Sequence, residues 1–240
     1  MDAMVAKDVR DGAAGASDEQ AVAAALAAAD VEYRPLQKDD FSALAEIVGE
    51  VWHAEFGETE RRLAGSVDLA TCLRRTTAGL VAVTGERTLG FVLMRAGDID
   101  PMSDAEWRDV SQKALEELHG ANPTAGERVA VYSKAEKAID DQLLAESGCD
   151  ERYEFVLFLL TASARGLGIG RALFDRAEAY LAQNGAREAF LFTDESCTWG
   201  FYEHRGLRRV GEYRPPKQEG DLLSAYYIYV DELDADGRGE

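Results

Sequence analysis

The stretch from residue 152 to residue 185 restricts the fold more than any other. Six strongly apolar residues, Phe155 to Leu160, lead into Arg165-Gly166-Leu167-Gly168-Ile169-Gly170-Arg171. Apolar residues then recur at helical spacing (Ile169, Leu173, Phe174, Ala177, Leu181) until Asn184-Gly185 ends the pattern. A strand that is apolar almost throughout belongs in the middle of a sheet covered on both faces. The three glycines let the backbone turn tightly and come close to a ligand without a Cβ in the way. Amide groups at the start of the following helix, helped by its dipole, then converge on one point and favour an anion, most naturally a pyrophosphate. Arg165 and Arg171 flank this loop in a chain of 45 acidic and 26 basic residues with a net charge of −19. They reverse the sign of the charge locally. The plain structural alternative is a glycine-rich turn that binds nothing.

Two other glycine-loop designs fit poorly. A dinucleotide-binding loop needs a third glycine three positions after Gly168, where this chain has Arg171. A nucleoside-triphosphate loop ends in Gly-Lys-Ser/Thr, which is absent here.

The remaining pattern arranges itself around this unit. Val31 to Leu36 alternates as a first strand, and Asp39 or Asp40 caps a helix with Phe41, Leu44, Ile47 and Val48 on one face. Trp52, His53 and Phe56 close it, and residues 59–78 contain a second helical stretch broken near Gly65. Gly79 to Val83 and Leu89 to Met94 form a hairpin across a tight turn at Gly85. Residues 97–150 interrupt the rhythm with a helix over 101–118, a loop over 120–128 and a helix over 133–146. This reads as a helical insertion without a core of its own. After the glycine loop come a strand at Glu188–Thr193, a short helix at Thr198–His204, and strands at Leu207–Tyr213 and Leu222–Val230. The Ala-rich segment 1–30 is expected to be flexible or loosely docked, and 231–240 to be an acidic tail.

Composition excludes several function classes. The acidity disfavours a nucleic-acid surface and an anionic membrane, and it suits cationic partners such as amines. Cys72, Cys149 and Cys197 do not form a disulfide framework, and no Cys or His pair has zinc-ligand spacing, so no metal is expected. The longest strongly apolar run has six residues, against about 20 for a membrane span. With no signal core at the start, the expectation is a soluble, cytoplasmic protein.

Arg165-x-x-Gly168-x-Gly170, between an apolar strand and an amphipathic helix, resembles the acyl-CoA loop of the Gcn5-related N-acetyltransferase (GNAT) family. Phe201-Tyr202-Glu203-His204-Arg205-Gly206-Leu207 resembles that family's last motif and lies at the expected distance downstream. The resemblance covers about residues 31–230 and is strongest over 152–213. It implies an α/β (α+β) fold: a mixed, mostly antiparallel central sheet flanked by helices, with the helical insertion between the third and fourth strands. It implies an acetyltransferase domain over 31–230 that carries acetyl from acetyl-CoA to a primary amine by direct attack in a ternary complex. The acceptor would be a small-molecule or peptide amine, and a homodimer is compatible with the family. A non-catalytic acyl-CoA-binding sensor or scaffold is the alternative.

The resemblance also implies roles for residues. In the family the strand before the loop splays from its neighbour, and pantetheine amides pair with its backbone. By position that strand segment is Phe158, Leu159, Leu160 and Thr161. The pyrophosphate would sit on the amides of Arg165, Gly166, Leu167, Gly168, Ile169, Gly170 and Arg171. Tyr202 matches the tyrosine that faces the thioester sulfur, and a phenol of pKa about 10 can protonate a leaving thiolate. Glu154 lies eleven residues before Arg165, matching the glutamate that serves as base in one branch of the family. A solvated strand start is the competing reading of Glu154, and other relatives use a water chain. Where the family often has Asn, this chain reads Asp194-Glu195-Ser196-Cys197, and Ser196 is the residue able to take over the hydrogen bond. Asp194 and Glu195, with Glu154, would make the cleft attractive to a cation. Cys197 has no His–Asp partner set at useful spacing and reads as an incidental thiol. Trp52 and Phe56 fall where the family shapes its acceptor pocket, with core packing as the equal alternative.

Overall fold

The computed structural model describes residues 30–215 and 224–233. The expectations for the first 29 residues, for Leu222 as a strand start and for the tail beyond 233 lie outside the described residues. Seven strands form one sheet in the order β1-β2-β3-β4-β5-β7-β6. They are β1 (Glu32–Pro35), β2 (Ala78–Thr84), β3 (Arg87–Ala96), β4 (Tyr153–Leu160), β5 (Glu188–Asp194), β6 (Arg208–Tyr213) and β7 (Tyr226–Glu232). Every neighbouring pair is antiparallel except β4 with β5. The helices are α1 (Phe41–Trp52), α2 (Glu58–Leu73), α3 (Pro101–Ala121), α4 (Pro123–Ser147), α5 (Ile169–Gln183) and α6 (Gly200–His204). This is the mixed, mostly antiparallel sheet with a two-helix insertion between β3 and β4 that the sequence implies.

Side-chain alternation sorts the helices onto two faces. Phe155, Phe158 and Leu160 of β4 and Leu191, Tyr227 and Tyr229 of β5 and β7 pack with Leu173, Phe174 and Ala177 of α5. On the other face, Val156, Leu157 and Leu159 pack with Leu44, Val48, Leu69 and Cys72 of α1 and α2. Phe190, Phe192 and Ile228 also lie on this second face and pack under Ile139 and Leu143 of α4. So α1 and α2 roof one half of a single face and the inserted α4 roofs the other. The seam between the two roofs runs along β4 and β5.

Local chemistry departs from the sequence reading in three places. Helix α2 continues through Gly65. A Cβ there would lie 2.1 Å from the Ala45 carbonyl oxygen and 2.6 Å from the Gly49 nitrogen, so the glycine serves the close crossing of α1 and α2. Residues 123–128 are helical rather than a loop. Asn122 alone breaks the run, and its side chain accepts from the Ala125 amide at 3.1 Å to cap α4, with Pro123 in the first turn. Asp40 makes no side-chain cap for α1. Its carboxylate accepts from Arg34 at 2.6 and 2.8 Å and from the Gln37 amide at 2.8 Å. The Arg34 hydrogen bonds hold that carboxyl below the ordinary carboxylate range against the opposing pull of burial.

Candidate active site

The β4–β5 junction is the most unusual part of the sheet. The two strands are bridged at one position, Glu154 opposite Phe190. Beyond it β4 runs to Leu160 and β5 to Asp194 without further register, so the strands part toward their C-terminal ends. On its other side β4 stays paired with β3, from Tyr153 to Leu160, with one irregularity. Phe155 faces Met94 and Leu157 faces Leu93, which leaves Val156 as an extra residue that bends the strand. The backbone of Phe158, Leu159 and Leu160 therefore borders the parting while their side chains stay buried in the two cores.

At the end of β4, Thr161 is held to β3 through its amide and hydroxyl, which both donate to the Leu89 carbonyl at 2.9 and 3.1 Å. A single turn, Ala162–Ala164, leads to the glycine loop. Gly166 and Gly168 have φ of +75° and +77°, values that favour glycine. Gly170 serves packing instead. A Cβ there would lie 2.7 Å from Leu160 Cδ1 and 3.3 Å from Phe158 Cζ, so its absence lets α5 settle onto β4. The amides from Gly166 to Arg171 meet no backbone acceptor among the described residues. They form a ring of donors at the start of α5, directly above the strand parting. Arg165 is half-buried beside them, and the Arg171 side chain is 81% exposed.

Tyr202 is fully buried on the α5 side, with its ring centroid 6.0 Å from Phe174 and 6.0 Å from Tyr229. Arg205 ties the short helix α6 to α5 through Asp175 at 2.6 Å and Glu178 at 2.7 Å, which fixes where Tyr202 projects. Glu154 is also buried, but on the α2 side, where one oxygen lies 3.2 Å from Arg75 Nη2. Tyr202 and Glu154 thus sit on opposite faces of the sheet.

Beyond β5, Asp194 is buried and Glu195 and Ser196 are exposed. The Ser196 amide donates to Asp194 at 2.5 Å, and the Cys197 thiol lies 3.3 Å from the same oxygen. Burial, then the Asp194 charge, push the Cys197 thiol far up, so it stays protonated. This agrees with the reading of Cys197 as an inert thiol. Asp194 faces α4 rather than the glycine loop, close to the Tyr226–Tyr132 hydroxyl pair at 2.9 Å.

Two groups were not singled out by the sequence. His53, at the end of α1, meets Asp68 of α2 with 2.5 Å between Nε2 and Oδ2. Its ring stacks on Phe56 at 5.4 Å. Phe56 in turn lies under Arg128 of α4, and Arg128 pairs with Glu55 at 2.9 Å. Trp52 packs half-buried on the core beneath α1. Glu136 and Asp140 of α4 are also buried on this face. The one available signal was acids placed at apolar-face positions of amphipathic helices. An open cavity of about 570 Å³, lined by Cys149, Arg152, Tyr153, Arg187 and Glu188 among others, lies at the opposite end of β4 and β5 and holds none of the anticipated site residues.

Among the described residues no group of three or more His, Cys, Asp or Glu is placed to hold a metal ion. No helix among them is long and apolar enough to cross a membrane.

Residues 135–207 match the family model described as the acetyltransferase (GNAT) family. The match spans the second half of α4, then β4, the glycine loop, α5, β5 and α6. Among solved structures, that of SsHAT is 20% identical with a TM-score of 0.55, covering 85% of this chain and 99% of the other. A Desulfovibrio desulfuricans structure assigned to the GNAT family is 14% identical with a TM-score of 0.50, covering 85% and 100%. At these identities the likeness is one of fold. No curated protein matches the chain by sequence.

Proposed function

We infer that this chain, whose residues 135–207 match the GNAT family model and whose fold is similar to that of SsHAT, transfers acetyl from acetyl-CoA to a primary amine. The observation that carries this reading is the parting of β4 from β5 beneath an open ring of amides at Gly166 to Arg171. The free edge of Phe158–Leu160 offers backbone donors and acceptors to an extended amide-bearing arm. The amide ring and Arg165 suit the diphosphate at its far end. Thr161 turns the chain between the two. Ser196, exposed at the end of β5, flanks the opening from the other strand.

The chemistry has balanced requirements. The amine nitrogen attacks the thioester carbonyl, a C–N bond forms and the C–S bond breaks. The amine must lose a proton and the thiolate must gain one. Tyr202, held by the aromatic cluster, is the donor to the thiolate. Glu154, beside Arg75, brings negative charge to the acceptor face. There it would draw a cationic amine and lower the cost of bringing an ammonium group into the cleft. A small molecule or a peptide amine both satisfy this chemistry. A cytoplasmic setting and a homodimer are compatible with it.

Calorimetric titration with acetyl-CoA, and separately with NADH, tests the reading. Acetyl-CoA should bind and NADH should not. Gly168→Glu should abolish binding, because a side chain at φ +77° is strained and a carboxylate would face the diphosphate. If acetyl-CoA fails to bind the folded wild-type protein, the transferase reading is wrong. Binding without CoA release for any amine would point to a sensor of the same fold.

A further inference from the structure

We propose that His53, oriented by Asp68, takes the proton from the attacking amine, a role that rests on the transferase reading above. The position of the pair along the strand parting supports this. Arg75, just past α2, touches Glu154 at the start of β4. Asp68 lies seven residues earlier, which is about 10 Å back along the helix. Leu69 and Cys72, one residue and one helical turn after Asp68, belong to the buried cluster that holds Val156, Leu157 and Leu159. Asp68 therefore stands on the face of the sheet where β4 is bent at Val156 and parts from β5.

The pair itself is built as an oriented imidazole. Asp68 is 1% exposed, and its second oxygen has no hydrogen-bond partner among the described residues. A carboxylate so placed inside an apolar helix face is costly unless it is paired, and His53 is its partner. With Nε2–H donated to Asp68, Nδ1 is the accepting nitrogen. It makes no hydrogen bond among the described residues, and the side chain keeps 13% exposure. Stacking on Phe56 fixes the ring plane. The charged groups facing the ring are Asp68 from α2, Glu55 from the connecting loop and Arg128 from α4. Burial favours the neutral ring, but the charge and hydrogen bond of Asp68, with Glu55, outweigh both it and Arg128. The imidazole consequently titrates above its ordinary 6.5. The ring is thereby a stronger base for this step than an ordinary imidazole.

In the reaction the amine proton moves to Nδ1 as the C–N bond forms, and the imidazolium is balanced by Asp68. The thiolate takes its proton from Tyr202 or water, and His53 returns its proton to solvent. Glu154 is then left to attract the cation rather than to deprotonate it.

The chain has three histidines, so imidazole signals can be assigned by nuclear magnetic resonance with single variants. Adding acetyl-CoA should move the His53 signals and leave those of His119 unmoved. This arm needs only the donor and decides whichever amine is accepted. With tyramine as the probe amine, His53→Gln should lower kcat/KM by about 10²-fold or more and remove the acidic limb of the pH profile. Asp68→Asn removes the charge that raises the imidazole pKa and should move that limb to lower pH. If acetyl-CoA binds by calorimetry while the His53 signals stay put, the proposal is overturned. It is equally overturned if His53→Gln keeps its rate within about threefold and its acidic limb while Glu154→Gln loses that limb. Absence of acetyl-CoA binding would instead defeat the transferase reading.

Discussion

Replacing Arg75 with Met removes the guanidinium beside Glu154 while keeping most of the side-chain volume. The Glu154 side chain is 3% exposed and that of Arg75 is 30% exposed, at a separation of 3.2 Å. Breaking a buried ion pair costs about 3–5 kcal/mol when the remaining charge stays ionised. The carboxyl has an escape, because it can take up a proton. Neutralising a glutamate of ordinary pKa about 4.3 costs about 3.7 kcal/mol at pH 7 and about 1 kcal/mol at pH 5. Those values are ceilings, and partial access of water to Arg75 lowers the loss to about 2–3 kcal/mol at pH 7. The sign follows from linkage. Without Arg75 the folded-state pKa of Glu154 rises above its unfolded value, so the folded variant binds more protons than the unfolded chain above about pH 4.3. Its stability relative to wild type should therefore fall as pH rises from 4.3, and then level off above the new folded pKa. Urea unfolding of wild type, Arg75→Met, Glu154→Gln and the double variant at pH 5 and pH 7 measures this. The loss should be smaller at pH 5 by about 1–2 kcal/mol and should largely vanish in the Glu154→Gln background. An equal loss at both pH values, or an equal loss in both backgrounds, would refute the coupling.

Tyr202→Phe keeps the ring packing against Phe174 and Tyr229, so the fold should persist while kcat falls by about 10²-fold with the acetyl-CoA affinity unchanged. An unchanged kcat would leave Tyr202 as a core aromatic only. Asn122→Ala deletes the side-chain bond to the Ala125 amide and should cost about 1 kcal/mol in urea unfolding, with no effect on acetyl-CoA binding.

The element order from Glu32 to Glu232 was legible because each element carries a local cause. The apolar run Phe155–Leu160 requires a central strand, Gly85 closes the hairpin at φ +57°, and Ile169 to Leu181 repeats at helical spacing. The shape of the glycine loop was legible for the same reason: Gly166 and Gly168 act through their own backbone at positive φ. Errors arose where one residue type has two uses. Gly65 reads as a helix breaker, yet it is a contact point between two helices. Asn122-Pro123 reads as a loop, yet the pair ends one helix and starts another with no spacer. Asp40 sits where a cap is expected but is taken by Arg34, eliminating the cap through a contact six residues away. The His53–Asp68 pair was invisible because it depends on how α1 crosses α2. That crossing is set by Gly49 and Gly65 and not by any local pattern.

The distribution of buried charge ties these observations together. Seven carboxylates are buried among the described residues: Asp40, Asp68, Glu136, Asp140, Glu154, Asp194 and Asp231. Asp68, Glu136, Asp140, Glu154 and Asp194 lie on the face roofed by α1, α2 and α4, and Asp40 is held by Arg34 at the start of α1. Packing alone does not call for this. The opposite face closes on aromatic rings from Phe155, Phe158, Phe174, Tyr202 and Tyr229. Each buried carboxylate costs stability unless a partner answers it, and Asp40, Asp68, Glu154 and Asp194 are answered by Arg34, His53, Arg75 and the Ser196 amide. Conflicts between local composition and global packing collect at functional sites. The inserted helix α4 contributes Glu136 and Asp140 to the face it helps to roof and meets the end of α1 through Arg128, which contacts Glu55 and Phe56. On α4, Glu136 and Asp140 fall at the same helical spacing as Val129, Ile139 and Leu143, so the 97–150 insertion turns acids as well as apolar groups inward.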